Sequence, residues 1–299
     1  MAGLLRGLPP ETLSLAYLVA GILFIVGLRK LTHPRTAKQG NLISAAGMVL
    51  AVGITVLWFE ILSPLLVATA LLIGAGIGTW LAFTIETTDM PQLVGLFNGF
   101  GGGASALVAG AELVDVAGTS GGVGDLTVTV TAAAVVTGLI GAVTFWGSFV
   151  AAGKLQGYLD APIRYAGENA IKVVFVLLAM VAGLALVTQS FQFTPLGMTE
   201  WAAPYWVLIG AASVLGVLLV VPIGGADMPV VIALLNAFSG LAAASTGFVL
   251  NNSVLIIAGT LVGASGFILT MIMCRSMNRS LTNVIFGHYG AAKGHPDGE

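Results

Sequence analysis

Nine apolar runs follow one another along the chain, and each is long enough to form one membrane-crossing helix. The hydrocarbon core of a bilayer is about 30 Å thick, and a helix of about 20 residues spans it. The runs lack the period-two alternation that membrane strands would show. The sequence therefore predicts an all-α membrane protein, a bundle of about nine transmembrane helices near residues 12–29, 40–59, 65–85, 91–113, 126–150, 172–190, 201–221, 229–250 and 254–274.

The composition supports a membrane environment. Hydrophobic residues make up 57% of the chain and charged residues 8%, whereas about a quarter of the residues of soluble proteins are charged. No interval between the runs could hold a folded soluble domain. The single cysteine, Cys274, excludes an internal disulfide. No histidine lies inside a run, so neither a metal site nor a membrane-embedded histidine is expected.

The placement of positive charge predicts the orientation. Short cytoplasmic loops of membrane proteins carry an excess of Lys and Arg. If nine helices cross the membrane, ten of the 11 positive residues fall on one side and only Arg6 on the other. An N-out, C-in topology is therefore predicted, with these ten residues inside: Arg29, Lys30, Arg35, Lys38, Lys154, Arg164, Lys172, Arg275, Arg279 and Lys293.

One stretch occurs twice, as DMPQLVGLFNGFGG at residues 89–102 and DMPVVIALLNAFSG at residues 227–240. An Asp followed closely by Pro is typical of a helix start, where the carboxylate caps free N–H groups. Each copy then places one Asn, Asn98 or Asn236, about 13 Å along its helix, close to the middle of the bilayer. Because the copies are four helices apart, they run in the same direction, and a weak parallel internal repeat is predicted.

The polar residues of the runs allow two interpretations. Asn98 and Asn236 either form ordinary interhelical hydrogen bonds or hold water and orient an ionisable partner, and Ser148 is of a type that usually forms a helix–helix contact. Gly259, Gly263 and Gly266 either allow close helix packing or form a hinge. Glu86 and Asp89 would make the inner mouth acidic. The fragment GFGGGA at residues 99–104 fits a dinucleotide fingerprint only formally, because it lies inside a membrane span.

Several segments resemble the beta subunit of the proton-translocating nicotinamide nucleotide transhydrogenases. They are ADMPVV at 226–231 with LN at 235–236, LVGASG at 261–266, MCRSMNRS at 273–280, DMPQLV at 89–94 and GSFVAAGKL at 147–155. The resemblance covers essentially all nine runs. It implies the membrane part of a proton-translocating NAD(P) transhydrogenase, an enzyme that couples inward proton translocation to hydride transfer from NADH to NADP⁺.

The resemblance also implies partners. Residues 1–281 would be the transmembrane domain, and residues 282–299 the start of a linker to an absent soluble NADP-binding domain. NAD(H) and NADP(H) would bind to the soluble domains of the complete enzyme, so no cofactor is expected on this chain and it holds no catalytic residue. Alpha-subunit membrane helices, a dimer of the whole enzyme and a bacterial plasma membrane are implied as well.

Residue roles follow from the same resemblance. Asn236 and Ser148 match channel-lining positions, and Asp227, Arg275 and Arg279 match the inner face where the NADP domain docks. Many family members have a histidine at the position of Asn98, where it is thought to carry the proton. We therefore expect an alpha-subunit helix to supply a titratable group near Asn98. The alternative functions are a proton-driven secondary transporter of a small solute and a structural scaffold.

Overall fold

The computed structural model describes residues 10–31, 33–58, 64–120, 126–159, 163, 166–188 and 202–286. In these ranges the regular structure is helical: α1 Pro10–Leu31, α2 Ala37–Trp58, α3 Pro64–Thr84, α4 Met90–Ser120, α5 Val128–Leu155, α6 Glu168–Thr188, α7 Ala202–Val220, α8 Met228–Val249, α9 Ser253–Ser276 and α10 Leu281–Phe286. Short 3-10 helices, Thr87–Asp89 and Gly225–Asp227, precede α4 and α8. Arg6, Arg164, Lys293 and residues 287–299 of the predicted linker lie outside the described residues.

Nine helices of the described residues, α1 to α9, are long and apolar enough to cross a membrane. The all-α class and the expected number of spans are thereby confirmed. The largest difference from the predicted bounds is at the end of α4, which continues past residue 113 to Ser120. Helix α5 continues past residue 150 to Leu155, and α6 already begins at Glu168. Lys154, predicted to follow span five, is therefore helical, and Lys172, predicted at the start of span six, lies in the second turn of α6.

Local sequence explains several helix ends. Thr127 caps α5, because its side chain accepts a hydrogen bond from the amide of Val130. Asn252 caps α9 in the same way through the amide of Leu255. Between α8 and α9 the chain reverses through Asn251, whose φ is 49°, a left-handed conformation that Asn tolerates well.

The chain divides into two compact units, and the first comprises residues 1–87. In it α1 and α2 pack as an antiparallel pair with glycines at the contact. A Cβ built on Gly47 would lie 3.1 Å from Leu23 Cβ, so the helices approach closely there. The hydroxyls of Tyr17 and Thr55 hydrogen bond across the pair at 2.8 Å.

The second unit comprises residues 88–299, and α5 is its central helix, in contact with α4, α6, α7 and α8. Contacts of Gly95 with Ile232, and of Asn98 with Ser239 further along both helices, show that α4 and α8 run in the same direction. The α5 helix runs against both, since Gly99 lies beside Ser148 and Gly102 beside Gly141. The starts of α4 and α8 and the end of α5 therefore meet at one end of the second unit.

Candidate functional site

A buried amide–hydroxyl cluster, Asn98, Ser148 and Ser239, lies where α4, α5 and α8 meet. Asn98 Nδ2 donates to Ser148 Oγ at 3.1 Å, and Ser239 Oγ donates to the backbone carbonyl of Asn98 at 3.0 Å. Asn98 is 7% exposed and Ser148 is 0% exposed. At about 1.5 Å per residue, Asn98 lies roughly 12 Å from the start of α4 and Ser239 roughly 16 Å from the start of α8. An amide and two hydroxyls can orient a water molecule or a titratable partner, but they do not titrate near neutral pH.

Two threonines continue the polar face of α5 beyond Ser148. Thr144 and Thr137 lie four and 11 residues before Ser148, so all three side chains fall within about 40° of one another around the helix. Both threonines are fully buried, and their hydroxyls have no hydrogen-bond partner among the described residues. In contrast, the buried hydroxyls of Thr246 and Thr270 bond to carbonyls of their own helices.

Asn236, the second Asn of the repeat, has different surroundings from Asn98. It is half-buried in α8, and its side chain makes no hydrogen bond to another described residue. A Cβ built on Gly266 would lie 3.0 Å from Asn236 Nδ2. The amide therefore lies against the glycine face of α9, and the matched sequence positions are not equivalent in space.

The contact between α8 and α9 is formed by small residues. A Cβ on Gly259 would lie 2.7 Å from the Gly240 carbonyl oxygen, and a Cβ on Gly263 would lie 3.3 Å from the carbonyl oxygen of Ala237. Backbone approach this close favours packing as the role of Gly259, Gly263 and Gly266.

An ion pair lies at the start of α8. Arg279 Nη1 donates to both carboxylate oxygens of Asp227 at 2.7 Å. The Asp227 side chain is 2% exposed and that of Arg279 is 29% exposed. Asp227 is the N-cap residue of α8, but its side chain makes no capping hydrogen bond. The expected capping role is therefore not observed, and the carboxylate is satisfied by an arginine 52 residues away instead.

The first copy of the repeat differs here too. Asp89 Oδ1 accepts a hydrogen bond from Gln92 Nε2 at 3.3 Å, and the same Gln92 nitrogen lies 3.5 Å from the Leu155 carbonyl oxygen. Glu86 is exposed and belongs to the first unit. Arg275 is exposed in the last turn of α9.

Lys154 is buried at this end of the second unit. Its ammonium group donates to the carbonyl oxygens of Val221 at 2.5 Å and Ile223 at 2.7 Å, and the residue is 7% exposed. Burial of a charged group is costly unless hydrogen bonds compensate for lost hydration. The two carbonyls, which follow the end of α7, supply that compensation.

A family model described as "NAD(P) transhydrogenase beta subunit" matches residues 13–299. The chain belongs to this family. Two curated proteins named "NAD(P) transhydrogenase subunit beta", from Rhodospirillum rubrum and from one of its strains, are each 41% identical to it over 282 residues. That match covers 93% of this chain and 58% of each transhydrogenase subunit, so the chain spans less than two thirds of their length.

Sequence reasoning missed four residues of the polar cluster and its surroundings. Ser239 occupies the repeat position that is Gly101 in the first copy, and this difference between copies was the available signal. Lys154 was counted as a solvated loop charge, although it directly follows an apolar run. The buried hydroxyls of Thr137 and Thr144 gave no signal, because threonine is common in membrane helices. Among the described residues, no cluster of metal-ligating side chains occurs.

Proposed function

We propose that this chain is the proton-conducting membrane part of a transhydrogenase and couples inward proton translocation to hydride transfer from NADH to NADP⁺. The chain is a multi-pass membrane protein of the NAD(P) transhydrogenase beta subunit family. The observation that carries the proposal is the buried amide–hydroxyl cluster in the second unit. Placing a row of polar groups in an otherwise apolar bundle costs free energy, so we expect these groups to have a function or a hydrogen-bond partner.

The polar face of α5 has the length that a proton path requires. Thr137 lies 18 residues from the end of the helix at Leu155, or about 27 Å at 1.5 Å per residue. That is close to the hydrocarbon thickness of about 30 Å. Water bound to the Thr137 and Thr144 hydroxyls would extend the path from Ser148 toward the far side of the membrane.

The proton carrier itself comes from outside this chain. Asn98 can position an imidazole or a carboxyl group, but an amide takes up no proton at physiological pH. We infer that an alpha-subunit helix brings a titratable side chain within direct or water-bridged reach of Asn98, and that Asn236 lines the same path. The partner helix thereby supplies the charge change, and this chain supplies the oriented hydrogen bonds.

The inner mouth is assigned to the starts of α4 and α8. There Asp227 and Arg279 form the part that senses the NADP-binding domain, with Arg275 and Asp89 contributing charge. For Glu86, three residues before Asp89 in the sequence, the same role remains a prediction from the sequence. In this view the NADP domain changes the environment of Arg279, and α8 carries the change to Asn236 and Ser239. NAD(H) and NADP(H) remain on the soluble domains, in a dimer of the whole enzyme in a bacterial plasma membrane.

The membrane potential supplies enough free energy to bias hydride transfer. One proton that crosses about 100 mV releases roughly 2.3 kcal/mol, which corresponds to a bias of about fiftyfold in a hydride-transfer equilibrium. The test is to reconstitute the assembled enzyme in liposomes and to follow NADPH formation and internal pH together. Hydride transfer that an imposed proton gradient does not accelerate would overturn the proposal. Gradient-driven uptake of a small solute without hydride transfer would favour a secondary transporter.

A further inference from the structure

The last turn of α5 contacts the starts of both Asp-Met-Pro helices. On one side the Leu155 carbonyl accepts from Gln92, which also bonds to Asp89 before α4. On the other side the adjacent Lys154 holds the carbonyls of Val221 and Ile223, in the turn that leads to Asp227 before α8. One turn of helix is thus bonded to the first copy of the repeat and to the turn that leads into the second.

The contact of Lys154 is unusual in its chemistry. The Lys154 side chain is bonded to two backbone carbonyls, and it forms no ion pair with a carboxylate of the described residues. The carbonyls at a helix C-terminus carry partial negative charge, which a cation stabilises. Pro222, between the two residues whose carbonyls accept from Lys154, has no N–H of its own to donate. The ammonium group is therefore the main polar contact that holds residues 221–223 against α5.

The position of Lys154 links the two parts of the proposed site. Ser148 lies six residues earlier on the same helix, about 9 Å along its axis, and bonds to Asn98. Asp227 lies four residues after Ile223, and its backbone amide donates to Gly224 at 3.1 Å within that turn. A shift of α5 along its axis therefore moves the turn that carries the Asp227–Arg279 pair, as long as Lys154 holds both carbonyls.

We propose that Lys154 is a positioning residue that fixes the α7–α8 turn to α5 and so transmits movement between the Asn98–Ser148 hydrogen bond and the Asp227–Arg279 ion pair. The expected effect on coupling rests on the proposed function. The attachment of the turn itself does not depend on that function, and it can be measured separately.

The first measurement tests whether Lys154 attaches the α7–α8 turn to α5. Ile223 is 6% exposed, so Ile223→Cys, in a Cys274→Ala background, reacts with a water-soluble maleimide only when the turn opens. Adding Lys154→Met to the assembled enzyme should raise the labelling rate about tenfold or more, because two hydrogen bonds to a charged group are lost. The matched control is Lys172→Met, since Lys172 pairs with Glu168 on α6 at 3.5 Å; it should leave the labelling rate unchanged.

The second measurement reports coupling, as the number of protons translocated per hydride transferred in liposomes. Lys154→Met should lower this ratio severalfold while hydride transfer continues, whereas general destabilisation would lower both rates together. Lys154→Gln, which keeps a donor without the charge, should give an intermediate ratio. If the wild-type enzyme shows no proton-coupled hydride transfer, the proposed function fails, and the labelling result still decides the attachment.

Three outcomes overturn the proposal. One is an unchanged labelling rate in Lys154→Met. A second is faster labelling with an unchanged proton-to-hydride ratio in a wild-type enzyme that is coupled. The third is failure of both Lys154→Met and Lys154→Gln to assemble while Lys172→Met assembles, which would make Lys154 a requirement of folding.

Discussion

Arg279 Nη1 lies 2.7 Å from both carboxylate oxygens of Asp227, and the carboxylate is almost completely buried. A carboxylate at this depth keeps its charge only if a cation and hydrogen bonds compensate for lost hydration. The arginine remains partly exposed, so it can be reached from outside the second unit. The pair therefore joins a buried helix start to the protein surface.

The first prediction concerns this pair. Arg279→Ala leaves a buried carboxylate unpaired and should lower the free energy of unfolding by about 1–3 kcal/mol, seen as a lower thermal midpoint of the assembled enzyme. The rate of coupled proton translocation should decrease by a larger factor than the amount of assembled enzyme does. The control is Lys172→Ala, because Lys172 pairs only within its own helix, with Glu168 at 3.5 Å. Normal proton pumping by Arg279→Ala would contradict the assignment of this arginine to coupling.

A second variant separates charge from contact. Asp227→Asn combined with Arg279→Gln removes both charges and retains hydrogen-bonding groups of similar shape. The double variant should recover much of the thermal midpoint lost in Arg279→Ala, since no uncompensated charge stays buried. Coupling should remain impaired. If thermal stability and coupling recover together, the charge of the pair has no role in coupling.

The second prediction concerns the amide–hydroxyl cluster. Ser148→Ala removes the acceptor of Asn98 Nδ2 and leaves a buried donor without its partner, which costs about 1–3 kcal/mol. Proton translocation should fall about tenfold if the pair orients the proton carrier. Ser213→Ala is the matched control, because the Ser213 hydroxyl bonds only to its own helix at Ile209. Equal effects of the two substitutions on translocation would remove Ser148 from the path.

The third prediction concerns the position of Asn98. Asn98→His places a group that titrates near pH 6.5 next to Ser148. The pH profile of proton-coupled hydride transfer should therefore gain a new step, at a midpoint set by burial and by the partner helix. The profile of Asn98→Gln, which keeps an amide, should keep its shape. A pH profile of Asn98→His that matches the wild type would exclude this position from proton transfer.

These residues show how far the sequence could predict the site. The nine spans and the depth of Asn98 follow from hydropathy and helical rise alone, which are local properties. The partner of Asp227 cannot be predicted in this way, because an arginine 52 residues away competes with local capping. Only the packing of α8 against the chain after α9 decides which of the two the carboxylate binds. The prediction for Lys154 fails for a related reason. Counting charges by loop assumes that each charge is solvated, whereas the Lys154 ammonium group donates to two backbone carbonyls in the α7–α8 turn.

The difference between Asn98 and Asn236 has the same origin. Both follow the same local pattern, yet α5 presents Ser148 to the first and α9 presents glycines to the second. The neighbours of the two helices are set by the order of the bundle, which the repeat does not encode.

The last prediction concerns the glycines of α9 that support Asn236. A Cβ at Gly266 would lie 2.8 Å from the Ala237 nitrogen and 3.0 Å from Asn236 Nδ2, so Gly266→Ala must push α8 and α9 apart or rotate the amide. Overpacking of this kind costs about 1–3 kcal/mol, and it should also reduce proton translocation, because Asn236 is displaced. Gly259→Ala, which meets backbone at a similar distance but not Asn236, should lower the thermal midpoint comparably and affect translocation less. Gly210→Ala is the neutral control, since nothing lies within 4 Å of its Cβ and alanine favours a helix by about 0.5–1 kcal/mol over glycine. If Gly266→Ala and Gly259→Ala reduce translocation equally, the effect comes from helix separation alone, and Asn236 does not line the path.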